Sequence, residues 1–313
     1  MKVLMISSDR NILAPGSAVS ERMKEYGALV EELHIVLLSD LGHGLKERQL
    51  SENVWVYPTN SFINFLRPLD AGQLGKKIIF EKKFVRGKSL ITADSIECGW
   101  AALRIKRKWR VPLEIQFHTD PFSPYFSGFQ NMVRKFFARK VLRNADAVRV
   151  VTQDLKSKIL NIKSDAQVSV LPIYVDKQKI ENGHIAFDVH ARYGWHFVLL
   201  SVSRLAPEKN LTLALTILAR VREKFPDTGL IIVGSGPEEP RLRTFAKKLG
   251  LEGAVEFVGW QNNLTSFYKT ANLFIQTSLF EGYGLSLVEA GLSGLPVITT
   301  PVGLAAELEH GKD

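Results

Sequence analysis

Short apolar runs recur along the chain, and longer stretches with helical spacing separate them. Ten such runs are present: KVLMIS, HIVLLS, SLITAD, LEIQFH and AVRVVT, then FVLLSVS, GLIIVGS, VEFVG, NLFIQT and PVITT. The runs are apolar at consecutive positions, which is typical of strands buried on both faces of a parallel sheet. Strands that alternate with helices indicate βαβ units. The pattern therefore predicts an α/β fold.

The alternation weakens over residues 172–197 and then begins again. A chain of 313 residues has room for two domains of ordinary size. We therefore predict two Rossmann-like, doubly wound domains, over 1–176 and 177–313, with a cleft between them. Ligands of open α/β sheets bind at the carboxyl ends of the strands, so the loops after the strands are where we expect chemistry.

Composition narrows the class of protein. Hydrophobic residues make up 45% of the chain, and no apolar run reaches the roughly 18 residues that a membrane-spanning helix needs. The opening MKVLMISSDR is too short an apolar stretch for a secretory signal and is typical of a first buried strand. Cys98 is the single cysteine, so no internal disulfide can form. These features favour a cytoplasmic globular protein.

The net positive charge of the chain comes entirely from its first half. Residues 1–176 carry 27 Lys and Arg against 18 Asp and Glu, whereas residues 177–313 carry 14 against 14. No zinc-finger spacing, helix-turn-helix signal or RNP-type motif indicates nucleic acid. An anionic membrane surface or a phosphorylated acceptor is the better interpretation. An ordinary solvated basic surface is the alternative.

Two basic stretches of the first half contain large apolar residues. GKKIIFEKKFVRGK (75–88) and RIKRKWR (104–110) mix lysine and arginine with phenylalanine, isoleucine and tryptophan, as a surface lying against anionic lipid would. We expect this half to lie at the inner face of the membrane. The stripe Met132, Val133, Phe136 and Phe137 has helical spacing, and we interpret it as core packing.

Two glutamates flank a glycine-rich turn in LFEGYGLSLVEAGLSGLP. Glu281 is expected in the loop after the strand NLFIQT, and Glu289 one turn into a helix that begins near Ser286. The amides of Leu285 and Ser286 would point out of the amino terminus of that helix, where phosphate binds readily. A phosphate there would have a carboxylate on either side, which suits a nucleotide sugar. Alternatively, Ser286 and Glu289 form a capping box that needs no ligand.

A second stretch, SVSRLAPEKNLTLAL, places Arg204 and Lys209 in the loop after the first strand of the second domain. Two cations at the start of a helix suit a diphosphate whose negative charge grows as it leaves. With these cations no metal is needed, and no clustered Asp and His ligand set is present in the sequence. The alternative is that both are solvated charges beside Glu208.

Taken together, these stretches resemble the retaining GT-B glycosyltransferases of glycosyltransferase family four. The resemblance rests on EGYGLSLVE, SRLAPEKN, IIVGSGPE, VEFVGW and GLPVITTPVGLAAE, which follow in the expected order over 197–313. It implies that Arg204 and Lys209 bind the donor diphosphate and that Glu281 contacts the hydroxyls of the donor sugar. It also implies that Glu289 binds the ribose and that the backbone around Val258 lies near the base.

The first half resembles the same family at two places. APGSAVSERMKEYG is similar to the loop and first helix that close over the donor phosphate, with Gly16 in the key position. EIQFHTD places His118 at a strand end, where the family has a histidine that contacts the transferred sugar. The family commonly has PNGVD before its linker, whereas this chain has PIYVD.

The resemblance implies a metal-independent, retaining transfer of a sugar from a UDP-sugar or GDP-sugar, without a cofactor, to a glycan or lipid-linked acceptor of the cell envelope. The second domain would hold the donor and the first the acceptor. A sugar-nucleotide epimerase, a phosphorylase or a non-catalytic nucleotide-sugar-binding scaffold are the alternatives. Relatives continue beyond the point where GLAAELEHGKD stands, so we expect the second domain to be truncated at its carboxyl terminus.

Overall fold

In the computed structural model, which describes residues 1–311, the strands form two separate sheets, and the chain divides into two units after Leu171. The sequence places the boundary a few residues later, between 176 and 177. Each unit has a mainly parallel sheet with helices packed on both faces. This arrangement is the predicted α/β architecture of two Rossmann-like domains.

The first unit contains eight strands and five α-helices. The strands are β1 (Lys2–Ser7), β2 (Glu32–Leu37), β3 (Arg48–Ser51), β4 (Val54–Pro58), β5 (Ser89–Ala93), β6 (Leu113–Phe117), β7 (Ala147–Val150) and β8 (Val168–Val170). The helices are α1 (Ala18–Ala28), α2 (Arg67–Glu81), α3 (Ile96–Trp109), α4 (Phe129–Asn144) and α5 (Gln153–Ile162). The sheet order is β3-β4-β2-β1-β5-β6-β7-β8, and only β3 is antiparallel to its neighbour.

The second unit contains five parallel strands in the order β11-β10-β9-β12-β13. The strands are β9 (Phe197–Val202), β10 (Thr228–Val233), β11 (Val255–Gly259), β12 (Leu273–Gln276) and β13 (Val297–Thr299). The helices are α6 (Lys177–Glu181), α7 (Val189–Tyr193), α8 (Leu211–Arg222), α9 (Glu239–Lys248), α10 (Thr265–Thr270) and α11 (Leu285–Leu292). The chain order reverses between β9 and β12, so the loops after these two strands diverge and leave a crevice.

All ten predicted strands are present, and three further strands were not predicted. β3 is four residues long, largely exposed and antiparallel at the sheet edge. β4 alternates between buried and half-buried side chains. β8 has three residues at the opposite edge. β3 and β8 lie at the sheet edges and lack a continuous apolar run. In contrast, β4 is paired on both sides and its sequence VWVYP is apolar throughout, so this strand was missed although it carries the signal.

The interpretation of the apolar stripe on α4 as core packing is wrong for three of its four residues. Met132 and Phe136 are 61% and 60% exposed, and Val133 is also exposed. Only Phe137 packs inward, with its ring 4.8 Å from that of Trp100. The helix is buried through smaller residues nearer its carboxyl end: Ala138, Val141 and Leu142.

Candidate active site

A cavity of about 600 Å³ lies in the second unit, at the carboxyl ends of β9 and β12. It occupies the crevice that the reversal of strand order leaves. The predicted residues that line it are Arg204, Lys209, Glu281, Leu285, Ser286 and Glu289. Six side chains or backbone positions from two stretches some 70 residues apart in sequence thus face one space.

The two loops that carry these residues are tied together by hydrogen bonds. The Thr277 hydroxyl donates to the carbonyl oxygens of Lys209 (3.1 Å) and Asn210 (3.0 Å). The Leu279 amide donates to the carbonyl oxygen of Glu208 at 2.8 Å. The loop after β9 is therefore held against the loop after β12 by the backbone, independently of any ligand.

Lys209 and Glu281 form an ion pair on the cavity wall. The Lys209 ammonium nitrogen lies 2.7 Å from both carboxylate oxygens of Glu281, and the Ser278 hydroxyl donates to Oε1 at 2.7 Å. The side chains are only 17% and 9% exposed. Because both charges are largely removed from water, each depends on the other for compensation.

Arg204 stands at the mouth of the cavity. Its guanidinium pairs with Glu208, and 69% of its side chain is exposed. Burial opposes ionisation of Glu208, but hydrogen bonds from its own backbone amide and from Arg204 hold its pKa below the ordinary value. Glu208 is therefore charged at neutral pH, and Arg204 keeps most of its donors free for a ligand.

Close backbone approach shapes another wall. Gly234, in the turn after β10, has φ +131°, and a Cβ atom there would lie 2.0 Å from the carbonyl oxygen of Ser203. At Gly236 a Cβ atom would lie 2.3 Å from the carbonyl oxygen of Leu205. The glycines of VGSGPE are needed because no side chain fits where this turn meets the loop after β9.

The amino terminus of α11 is open to the cavity. Gly284 precedes the helix in the left-handed region at φ +99°, and no side chain caps the first turn. Helix N-termini leave backbone N–H groups without intrahelical partners, and these groups attract anions. Ser286 lies inside the helix, one position past its first residue, so Ser286 and Glu289 do not form the capping box.

Glu289 has a different partner. The buried Tyr268 hydroxyl donates to Glu289 Oε2 at 2.9 Å. Burial raises the pKa of Glu289, although the Tyr268 hydrogen bond and the charge of Lys179 oppose the shift. The second carboxylate oxygen is available to hydroxyl groups of a ligand in the cavity.

Sequence reasoning missed several residues that line the cavity. Trp260 lines the cavity with 74% of its surface exposed, and Tyr283, Gln261 and Asn262 line it as well. Val258 does not line the cavity, and its carbonyl oxygen accepts a hydrogen bond from the Gln261 side chain at 2.9 Å. The tryptophan that ends VEFVGW was the available signal, since exposed aromatic rings commonly stack on ligands.

The two remaining predicted residues belong to the first unit. Gly16 adopts φ +68° directly before α1, whose first turn is capped by the Ser17 hydroxyl, 3.0 Å from the amide nitrogen of Ser20. His118 directly follows β6. Desolvation by the surrounding protein lowers the pKa of His118, and the positive charges of Arg149 and Arg22 lower it further. The imidazole is therefore neutral at pH 7 and can both donate and accept hydrogen bonds.

Neither a metal centre nor a membrane-spanning helix is found in the part of the chain that the structure describes. Over residues 1–311, no three His, Cys, Asp or Glu side chains converge as metal ligands would. Within the same range, no helix has the length and apolar character that crossing a bilayer requires.

The chain matches two families of known proteins. Residues 185–312 match the family Glycosyl transferases group 1, and residues 85–173 match the Glycosyl transferase 4-like domain. The first match contains all the predicted residues that line the cavity of the second unit. The chain belongs to the GT-B glycosyltransferases of the family-four type, a class of transferases that use nucleotide-sugar donors.

Individual relatives agree with this class. The chain is 27% identical over 296 residues to an uncharacterized glycosyltransferase of Haemophilus influenzae, covering 92% of this chain and 78% of that protein. It is 23% identical over 269 residues to the alpha-monoglucosyldiacylglycerol synthase of Acholeplasma laidlawii, covering 78% of this chain and 65% of that one. The fold resembles Anabaena HepE in complex with UDP and glucose, with a TM-score of 0.72 at 21% identity, covering 99% of this chain and 84% of HepE.

Proposed function

We propose that the protein transfers a hexose from a UDP-sugar or GDP-sugar to a glycan or lipid-linked acceptor, with retention of the anomeric configuration and without a metal ion or cofactor. One observation carries the proposal. A single cavity brings together two cations, an uncapped helix N-terminus and two carboxylates, which are the groups that a nucleoside diphosphate sugar requires.

Each part of the donor has a matching group. The diphosphate lies between Arg204 and the amides of Leu285 and Ser286, with Lys209 as the second cation. Glu281 accepts hydrogen bonds from the sugar hydroxyls, and Glu289 from the ribose hydroxyls. Trp260 provides an aromatic surface for the base.

During the chemical step, negative charge develops on the diphosphate oxygen that lies next to these cations. The bond between the anomeric carbon and the diphosphate oxygen breaks, and the electron pair stays on that oxygen. The acceptor oxygen bonds to the anomeric carbon on the same face, and its proton passes to the departing phosphate oxygen. Arg204, Lys209 and the helix N-terminus stabilise the growing negative charge, so the site is preorganised for the transition state.

The first unit supplies the acceptor side. Its β-sheet carries His118 at a strand end, where a neutral imidazole hydrogen-bonds to the transferred sugar. The basic half of the chain lies against an anionic membrane at its cytoplasmic face. A lipid-linked acceptor is consistent with the glycolipid product named for the Acholeplasma relative.

A donor panel tests the proposal. The protein is incubated with UDP-glucose and other UDP- and GDP-sugars, with and without EDTA and a membrane lipid extract, and release of nucleoside diphosphate is measured. NMR of the product gives the anomeric configuration. Glu281→Gln should abolish lipid-stimulated release, whereas the exposed Glu252→Gln should not. Inversion, a need for metal, or equal rates in the two variants would contradict the proposal.

A further inference from the structure

A second polar cavity, of about 610 Å³, lies in the first unit at the opposite edge of the sheet from His118. Pro112 and Asp146 line it and directly precede β6 and β7, so the cavity is at the amino ends of these strands. His118 is at the carboxyl end of β6, about 16 Å away along a five-residue strand. The cavity is therefore separate from the candidate residue for sugar transfer in this unit.

Six cationic side chains and a single carboxylate line this cavity. The cations are Arg86, Lys106, Arg107, Arg110, Arg143 and Lys163. The carboxylate, Asp146, is already used: its Oδ2 lies 2.6 Å from the Lys106 ammonium and accepts from the Leu113 amide at 2.7 Å. Asp146 therefore compensates one lysine and leaves the others.

The two lysines also have structural partners. Lys106 donates to the carbonyl oxygen of Asn144 at 2.7 Å, and Lys163 donates to that of Ala145 at 3.1 Å. Both lysines thus fasten the turn before β7 to neighbouring elements. Their role in holding the fold explains their positions without a ligand.

The four arginines have no such explanation. Within residues 1–311 none of them has an ion pair or a side-chain hydrogen bond: Arg86, Arg107, Arg110 and Arg143. All four are exposed. Like charges around one cavity repel each other, and among the described residues Asp146, which is paired with Lys106, is the one carboxylate that lines it. Guanidinium groups bind phosphate through paired donors, so a phosphate-bearing ligand would remove the repulsion and use the free donors.

Exposed apolar side chains lie close to the arginines of this cavity. Val85, next to Arg86, is 55% exposed, and Phe80 is 70% exposed with its ring 6.0 Å from that of Trp109. Trp109 precedes Arg110 in the chain. Exposed aromatic and aliphatic groups beside arginines suit a phosphate presented at a lipid surface.

We propose that this cavity is a second anion site. Arg107, Arg110 and Arg143 would bind a ligand whose phosphate groups carry at least two negative charges. The shared chemistry is a phosphoryl group, and it has two possible sources: the headgroup of an anionic lipid or a soluble diphosphate. The site is independent of the donor cavity in the second unit.

Binding measurements with two probes test the site. Inorganic pyrophosphate is titrated by calorimetry at low ionic strength, and phosphatidylcholine vesicles with and without phosphatidic acid are used in co-sedimentation. The test variant is the triple substitution Arg107→Gln, Arg110→Gln and Arg143→Gln. The control variant removes the same charge from exposed, unpaired positions of the second unit: Arg220→Gln, Lys224→Gln and Lys248→Gln.

The test variant should bind at least one probe about tenfold or more weakly than wild type, whereas the control should bind it normally. Loss of vesicle binding alone assigns a lipid headgroup, and loss of pyrophosphate binding alone assigns a soluble ligand. Both results support the site. Equal losses in the two variants would assign the effect to net charge and overturn the proposal, as would the absence of any loss. Nucleoside diphosphate binding should be unchanged in both variants, which separates this result from a failure of the donor site.

Discussion

The two cation-lined cavities of this protein differ in how their charges are compensated. In the second unit, Arg204 pairs with Glu208 and Lys209 pairs with Glu281, so each cation has its own carboxylate. In the first unit, Asp146 alone faces six cations, and four arginines are unpaired. In the donor cavity every lining cation is paired without a ligand, whereas four arginines of the other cavity have no carboxylate partner within residues 1–311.

In the cavity of the second unit, the proposed diphosphate-binding groups are already held in place without the donor. Lys209 and Glu281 hold each other in place on two loops that are already joined by the Thr277 hydroxyl and by the backbone bond from Leu279 to Glu208. In the proposed donor complex, the phosphate competes with Glu281 for Lys209, and the sugar hydroxyls donate hydrogen bonds to Glu281. Little reorganisation is then required during the chemical step. In the arginine-lined cavity of the first unit, Asp146 pairs with Lys106, but the four arginines have no carboxylate partner in the part of the chain that the structure describes. Their guanidinium groups are therefore free to bind an anion.

The largest expected effect is at the Lys209–Glu281 pair. Lys209→Ala should lower kcat/KM by about 100- to 1000-fold, because it removes a cation from the leaving diphosphate. It should also lower the free energy of unfolding by about 3 kcal/mol, because Glu281 is left buried and uncompensated. Denaturant unfolding and steady-state kinetics measure the two effects.

The double variant separates stability from activity at this pair. Lys209→Ala with Glu281→Ala should recover much of the lost stability while remaining inactive, since no unpaired charge is left. The exposed pair Lys247–Glu252 is the control, and its disruption should cost less than about 1 kcal/mol. A double variant as unstable as the sum of the single variants would show that the pair is not coupled.

The next effect concerns the backbone wall of the donor cavity. In Gly234→Ala the new methyl carbon would lie only 2.0 Å from the carbonyl oxygen of Ser203, which is a severe steric clash. We expect a loss of about 2 kcal/mol or more in stability, together with weaker nucleotide binding. Gly250→Ala is the control, because Gly250 also has positive φ but an open surrounding. Equal losses would assign the whole effect to the dihedral angle.

Tyr268→Phe should have a smaller effect, confined to the ribose end of the donor. The variant removes the hydrogen bond to Glu289 and should weaken donor binding about tenfold. It should also raise the pKa of Glu289 further, because burial already raises it and the phenol opposes that shift. Donor binding that needs the ionised carboxylate is lost as the pH falls through this raised pKa, so the variant should lose binding at a higher pH. An unchanged pH profile would show that Glu289 does not bind donor as a carboxylate.

Most of the fold could be predicted from the sequence, because buried parallel strands are apolar at every position. β9 and β10 are continuous apolar runs at the sheet centre, and their bounds differ from the predicted runs by a residue or so. β3 and β8 carry no such run because they lie at sheet edges, where side chains face solvent. The apolar stripe on α4 was misleading, since helical spacing shows which residues share a face but not what that face packs against.

The candidate site was predictable where a motif fixes both the residue type and the loop. Arg204, Lys209, Glu281 and Glu289 follow this rule and line one cavity. Pairings between distant residues were not predictable. Nothing in the sequence indicates that Tyr268 faces Glu289. The sequence indicated two of the basic stretches that line the cavity of the first unit, 75–88 and 104–110, but not that they converge with Arg143.

The smallest expected effect is a pH shift at His118, the first unit's candidate for contact with the sugar. The His118 side chain is exposed, but the protein around it partly desolvates the imidazole and, together with the charges of Arg149 and Arg22, lowers its pKa below the ordinary 6.5. Arg149→Gln should therefore move the pKa of His118 upward, toward that value. NMR titration of the His118 ring proton measures the shift, and Lys156→Gln is the charge-matched control.

Stability should follow the same titration. The unfolded chain takes up a proton at His118 near pH 6.5, whereas the folded chain does so only at lower pH, so folding stability falls as the pH drops below 6.5. Arg149→Gln should make this loss shallower, because the two pKa values come closer together. Desolvation is the larger cause of the shift, so the variant should keep part of it. A His118 pKa that does not move in Arg149→Gln would show that desolvation and Arg22 account for the shift without Arg149.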